Sequence, residues 1–471
     1  MLRLEGLLDG LLRLTAFGLL ISMLVAALHD VSQAWDVWYY HLPFGARLWG
    51  LVPQSDFIFT DENGARFSGF PLLGEWLQGL LWRLTRIPTA ANLVAFSSVP
   101  AVAVFLRIRF GVPLHLTVVA LLAIPLVQTH ATSCYVDLPA NSAVAVLVML
   151  TLDAYARRTR LSMRTLLLAF CVAALAANMK CLLHPLIFTS LVLFGIRFLV
   201  LHRPARVGRP VLVMLVCLPV VFASPLKNLI LHQNPYYPLR IAIAGHDLPG
   251  RELPYASSPM WLRDAPRPLR FAASVSEIGA RPLSDRRRWT VDQWTPSNAS
   301  GYRMGGFFGA YVLVQLIWLV VSSVRARSRE TNVAAIGFAS LTAIVALMPQ
   351  SHELRYYMVW MIVLASINLW HAARHSSKVA LALGYLSAAA LAMVLVVTHA
   401  GYVYPSGLTF AELVQRNTDE TQIAALPQHA VVCVAKAPYS LLWAAAFHPP
   451  RHYVVREAEH LRDCGDATQM R

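Results

Sequence analysis

The chain has 471 residues, of which 57% are hydrophobic and only 14% charged, with a formal net charge of +15 and a mean hydropathy of +0.52. Soluble chains carry about 25% charged and about 45–50% apolar residues, and disordered, collagen-like or coiled-coil chains are less apolar or strictly repetitive, so these classes are excluded. What remains is a polytopic membrane protein or a soluble one with an implausibly large core, and the pattern along the chain decides for the first.

Apolar stretches run near residues 9–28, 90–108, 113–131, 138–156, 164–182, 184–202, 209–227, 305–324, 332–349, 355–372 and 378–399. A hydrocarbon core about 30 Å thick takes roughly 20 residues per helix. The expected fold is therefore all-α and polytopic, with about eleven transmembrane helices. The first stretch reads as an uncleaved helix, because no A-x-A-like cleavage site accompanies it. Basic residues gather in alternate short loops: Arg107 and Arg109; Arg157, Arg158, Arg160 and Arg164; Arg197, Arg203, Arg206 and Arg209; Arg325, Arg327 and Arg329; Arg374 and Lys378. The intervening short loops carry only Lys180 and Arg355. This asymmetry predicts an inner-membrane protein with its N-terminus in the cytoplasm and its C-terminus in the periplasm. The net positive charge is mostly this topology signal; it favours anionic membrane lipids and gives no ground for a nucleic-acid partner.

Three segments are too long to be simple connectors: residues 29–89, 228–304 and 400–471. The first contains an amphipathic stretch, Pro71–Leu84, that Glu75, Gln78 and Arg83 interrupt, so it is expected to lie in the membrane interface. The second is rich in Pro and Arg and has no clear helical period. The third predicts a strand over 430–435, a helix over 440–447 and a strand over 452–455. The domain plan is a membrane domain over 1–400 and a small α/β domain over 401–471. No C-x-x-C occurs, which disfavours a thiolate zinc site, and Cys433 and Cys464 could pair in an oxidising periplasm.

Ionisable groups at the outer ends of membrane helices are candidates for chemistry, because charge is costly at membrane depth. Asp36 stands among Trp35, Trp38, Tyr39 and Tyr40, followed by His41 and Pro43. It is either a helix cap inside an interfacial aromatic belt or a carboxylate beside sugar-stacking walls that takes a hydroxyl proton. Asp137 follows Tyr135 and precedes Pro139, which suits an N-terminal cap, yet it falls on the same outer face as Asp36. Lys180 with His184, and Lys227 with Asn234, Tyr236 and Tyr237, either snorkel to lipid headgroups or bind a substrate phosphate. His352, Glu353, Arg355 and Tyr356 occupy a very short outer turn. An arginine there runs against the charge rule, and a phosphate matches its fork.

These motifs carry a resemblance. Asp36-x-x-x-Tyr40-His41-Leu42-Pro43, Tyr135-x-Asp137-Leu138, Asn234-Pro235-x-Tyr237-Pro238 and Arg355-Tyr356 occur in the order seen in bacterial multi-spanning GT-C glycosyltransferases. The chain is similar to the protein O-mannosyltransferases and the lipid A aminoarabinose transferase over roughly residues 1–400 as an order of helices and loops. Val37 stands where the family often has a second acid. The resemblance implies a GT-C-like fold and sugar transfer from a polyprenyl-phosphate donor to an envelope acceptor (lipid, glycan or protein) on the periplasmic face, with inversion. In that scheme Asp36 accepts the acceptor's proton, Asp137 assists, and Arg355, Lys180 and Lys227 face the leaving phosphate. No cofactor is required, although Asp36 and Asp137 could contribute to a divalent metal site. A flippase or transporter of lipid-linked saccharide, a glycan ligase or polymerase, and a catalytically silent relative that only binds a partner are the alternatives.

Overall fold

Among the described residues, eight helices are long and apolar enough to cross a membrane: Glu5–His29, Pro88–Phe110, Asp137–Ala156, Cys181–Val200, Gly309–Ala326, Arg329–Leu347, Leu354–His375 and Ser377–Val397. The computed structural model describes residues 2–158, 161–201, 208–243, 245–254, 258–285, 288–289, 305–399, 401 and 403–470. Arg160, Arg203 and Arg206 of the basic loops lie outside the described residues. Two further apolar stretches are bent pairs rather than straight spans, which brings the total to as many as ten. Leu114–Leu122 meets Pro125–Ala131 at 98°, because Pro125 forces the preceding Ile124 into an extended conformation. Gly208–Val221 meets Ala223–His232 at 59°, with Pro219 inside the first helix weakening its ladder. The expected stretch 164–182 is a helix of only 15 residues, Met163–Ala177, since Asn178 and Lys180 end it early.

Two helices form the centre. Asp137–Ala156 and Met358–His375 are buried along nearly their whole lengths. The first is rich in alanine, which lets neighbours approach closely where no hydrophobic force drives helices together in lipid. Gly309–Ala326 is peripheral: Leu313, Ile317, Val320 and Val324 form an exposed apolar stripe, while Tyr311, Gln315 and Leu319 face inward. Inside the bundle Asn368 Nδ2 donates to Gln315 Oε1 at 2.7 Å, which ties two helices together.

The described basic residues of alternate loops converge at one end of the bundle. Arg109 Nε and Arg157 Nε each reach Asp153 at 2.7 Å. Arg197 Nη2 donates to the Arg157 carbonyl at 2.8 Å, and Arg374 pairs with Glu330 at 2.8 Å. Serine hydroxyls cap the helices that start there, at Ser162, Ser328 and Ser376. The described parts of the three long segments gather at the opposite end.

At that end β1 (Phe57–Ile58), β4 (Val431–Ala435), β5 (Val454–Ala458) and β6 (Thr468–Met470) form one parallel sheet in the order β1-β5-β4-β6. A separate hairpin joins β2 (Ile241–Ile243) to β3 (His246–Leu248). Thus a two-residue strand from the first long segment completes a sheet made by the tail. One apolar cluster runs through both, with Val37, Trp38, Phe57 and Trp82 packed beside Leu413, Val432, Leu442 and Val455. The expected helix over 440–447 is two short 3₁₀ turns, Ser440–Trp443 and Ala445–Phe447, and Cys433 and Cys464 form a disulfide. The second long segment, which shows no clear helical period in its sequence, contains the helix Arg267–Val275.

Candidate functional site

Asp36 opens a π-helical turn, Val37–His41, directly after the first span. Such turns are rare and often mark functional positions. Neither capping alternative holds, because the Asp36 side chain takes no cap hydrogen bond and the cap position of the helix that Asp137 begins is Val136. Each carboxylate meets a cation instead. Arg355 Nη1 lies 3.4 Å from Asp36 Oδ2, and Lys180 Nζ lies 2.8 Å from Asp137 Oδ1.

Tyr356 stands between the two cations, with Lys180 Nζ at 4.6 Å and the Arg355 guanidinium at 4.8 Å from its ring centre. Arg355 Nη2 donates to the Tyr356 hydroxyl at 2.9 Å, while Nε lies 3.5 Å from Glu353 Oε2. Burial pushes the Glu353 carboxyl up to about 7, with Arg355 opposing and Asp36 adding to the rise. Burial, reinforced by Asp36, also raises Tyr40 well above the usual phenol range. Asn141 holds the two helix starts together: its Nδ2 donates to the Asp137 carbonyl at 2.8 Å and its Oδ1 accepts from Val359 N–H at 2.9 Å.

His41 Nδ1 meets Glu75 Oε1 at 2.7 Å, and both side chains are buried. This corrects the interfacial expectation for Pro71–Leu84. The helix Leu73–Thr85 turns Glu75 and Gln78 inward, where Gln78 Nε2 donates to the Cys134 carbonyl. Its placement depends on glycine: a Cβ at Gly79 would overlap the Gly45 carbonyl, and one at Gly74 would overlap Val136.

The structure therefore brings together Asp36, Tyr40, His41, Asp137, Lys180, Glu353, Arg355 and Tyr356. His352 is buried next to them, and its carbonyl accepts from Ser274 Oγ. Lys227, His184 and Tyr237 go elsewhere. Lys227 Nζ donates to the Ser68 carbonyl beside an open groove of about 500 Å³ lined by Phe70, Leu73 and Trp76. His184 Nε2 meets the Ala177 carbonyl at 2.9 Å, and Tyr237 stacks on His232 with ring centres 3.8 Å apart. Glu75, Asn141 and Tyr135, whose ring centre lies 5.5 Å from the Arg355 guanidinium, are not among the site residues the sequence singles out. Glu75 and Asn141 look like ordinary polar interruptions in the sequence, and only Tyr135 had a signal, as part of the Tyr-x-Asp-Leu motif. Among the described residues no three His, Cys, Asp or Glu side chains group as metal ligands, and Asp36 and Asp137 each face a cation where a metal would compete.

A multi-span helical bundle with a cluster of ionisable side chains at one end, beneath a small parallel sheet, is a GT-C-like membrane fold. The chain is similar to the crystal structures of ArnT from Cupriavidus metallidurans in the apo state and bound to undecaprenyl phosphate, at a TM-score of 0.53 and 13% identity, over 96% of this chain and 86% of that one. No family model and no curated protein matches it.

Proposed function

We propose that this protein is an integral membrane glycosyltransferase that moves a sugar from a polyprenyl-phosphate donor to an envelope acceptor on the periplasmic face of the inner membrane. The observation that carries the proposal is the juxtaposition of Asp36 with Arg355 and Lys180 at one bundle end. The match to ArnT, whose structure was obtained with undecaprenyl phosphate, supports the donor class. The arginine-rich opposite end and the Cys433–Cys464 disulfide support a periplasmic site, because disulfides persist in oxidising compartments.

The chemistry is a single displacement. Asp36 removes the proton of an acceptor hydroxyl as that oxygen forms a bond to the anomeric carbon. The bond from that carbon to the phosphate oxygen breaks, and the electron pair leaves with the lipid phosphate. Attack opposite the leaving group inverts the centre. Arg355 and Lys180 stabilise the charge that develops on the phosphate, and Asp36 then releases its proton to water. Lys227, held in the separate groove, has no part in this step.

Asp36→Asn keeps the shape and removes the proton acceptor. Turnover with a polyprenyl-phosphate sugar should fall by about 10²–10⁴-fold while the protein stays folded. The measurement is sugar transfer by the purified protein, paired with mass spectrometry of envelope glycans and lipid-linked sugars with and without it. Full transfer by Asp36→Asn would remove Asp36 as the base, and no sugar transfer by the wild type together with unchanged glycans would leave transport or partner binding as the function.

A further inference from the structure

Arg355 is the hub of the cluster, and its bonds are unequal. Its contacts with Asp36 at 3.4 Å and with Glu353 at 3.5 Å exceed the roughly 2.7–2.9 Å of a well-formed charge-assisted bond. The neighbouring Lys180–Asp137 pair, at 2.8 Å, does not. The two acids also differ in access: the Asp36 side chain is 22% exposed, that of Asp137 only 1%. A loosely held carboxylate that solvent can reach is the one an incoming anion can displace. The Nη1–Nη2 edge of a guanidinium can grip a phosphate bidentately, and Asp36 sits against Nη1 of that edge.

From this geometry we propose that Arg355 is exchanged between Asp36 and the phosphate of the lipid donor, so that donor binding frees Asp36 to act as a base. The inference rests on the glycosyl-transfer reading and adds an order of events to it. An aspartate paired with a guanidinium is a poor proton acceptor, whereas one facing a phosphate is a better one. Without the donor, Asp36 and Arg355 neutralise each other and the site is idle. With it, the phosphate takes the fork, and the acceptor hydroxyl meets a carboxylate that has lost its counter-ion. The donor then binds before the acceptor is deprotonated, and the binding energy of the phosphate is partly spent on breaking the Asp36–Arg355 contact.

The test is the affinity of the purified full-length protein, in lipid nanodiscs, for undecaprenyl phosphate. Asp36→Asn removes the competitor, so binding should tighten about tenfold, equivalent to about 1.4 kcal/mol, although turnover is lost. The gain should vanish in Arg355→Gln, where nothing remains to be exchanged. If that variant does not accumulate in the membrane, Arg355→Lys serves, and the gain should shrink because the fork is gone. Equal or weaker binding by Asp36→Asn, with a wild type that transfers sugar, would overturn the exchange and leave the transferase reading intact. A gain that persists undiminished in either Arg355 background would also overturn it, as a general charge effect. Absence of lipid-phosphate binding in both wild type and Asp36→Asn would overturn the donor assignment and the exchange together.

Discussion

Glu353 and Asp137 place two buried acids beside the same cations, and burial acts on them differently. Glu353, one residue before the span Leu354–His375, is raised from its usual 4.5 to about 7 by burial. A raised acid favours the protonated form in the fold, so its contribution to stability is complete below about pH 4.5 and is lost as pH climbs through about 7. Glu353→Gln should therefore leave the thermal midpoint nearly unchanged at about pH 5 and raise it at about pH 8. A lower midpoint for the variant at the higher pH would show that Glu353 stabilises as an ionised partner of Arg355. Asp137 is buried against Lys180. Asp137→Asn leaves that lysine without its acid, and breaking a buried pair costs about 3–5 kcal/mol. Its activity loss should be smaller than that of Asp36→Asn and should come with a clear drop in thermal stability, whereas Asp36→Asn should melt close to wild type. Equal and complete loss of activity at both positions, with no loss of stability, would point to a coupled carboxylate pair.

At the scale of elements, the helix Leu73–Thr85 decides how the His41 side of the cluster is built. Gly79 lies against the Gly45 carbonyl and Gly74 against Val136, so the helix is held between Leu42–Leu48 and the chain leading into Asp137. That clamp sets Glu75 opposite His41. Gly79→Ala should cost about 1–3 kcal/mol through overpacking and should weaken undecaprenyl-phosphate binding by shifting the His41–Glu75 pair. Gly10→Ala, with open space around it, should be nearly silent in both measurements. Equal melting of the two variants would mean that the helix moves aside freely. The sequence showed this element as an amphipathic helix but assigned its polar side to the interface. Hydrophobic periodicity gives the existence of a polar face, and the carbonyl and histidine that pair with Gln78 and Glu75 come from other segments.

For the whole molecule, the two bundle ends imply opposite sides of the membrane. Reporter fusions after Arg327 should sit in the cytoplasm, and fusions after Tyr404 or within 258–280 should sit in the periplasm. A cytoplasmic signal after Tyr404 would invert the orientation and remove the support that the disulfide lends to a periplasmic site. The tail does not stand apart from the loop that carries Asp36. Strand β1 pairs with β5 at Phe57–Val455 and Ile58–Arg456, and Lys436 Nζ reaches Glu62 at 2.6 Å. The tail thus braces the segment that follows the first span.

The sequence alone determined roughly where the apolar helices lie and that basic loops alternate with loops poor in Lys and Arg. A span is a local property, a run of about 20 apolar residues that needs no partner to be recognised. It also located Asp36, Asp137, Lys180 and Arg355, because charge at a helix end stands out against an apolar background. Only the tertiary structure decided which of them meet. Asp36 and Arg355 are 319 residues apart, and no window along the chain couples them. The same limit hid the bends at Pro125 and near Pro219, the borrowed strand β1, and the separation of Lys227, His184 and Tyr237 from the main cluster. Each of these depends on what packs across from a residue, and hydropathy summed along a chain has no term for that.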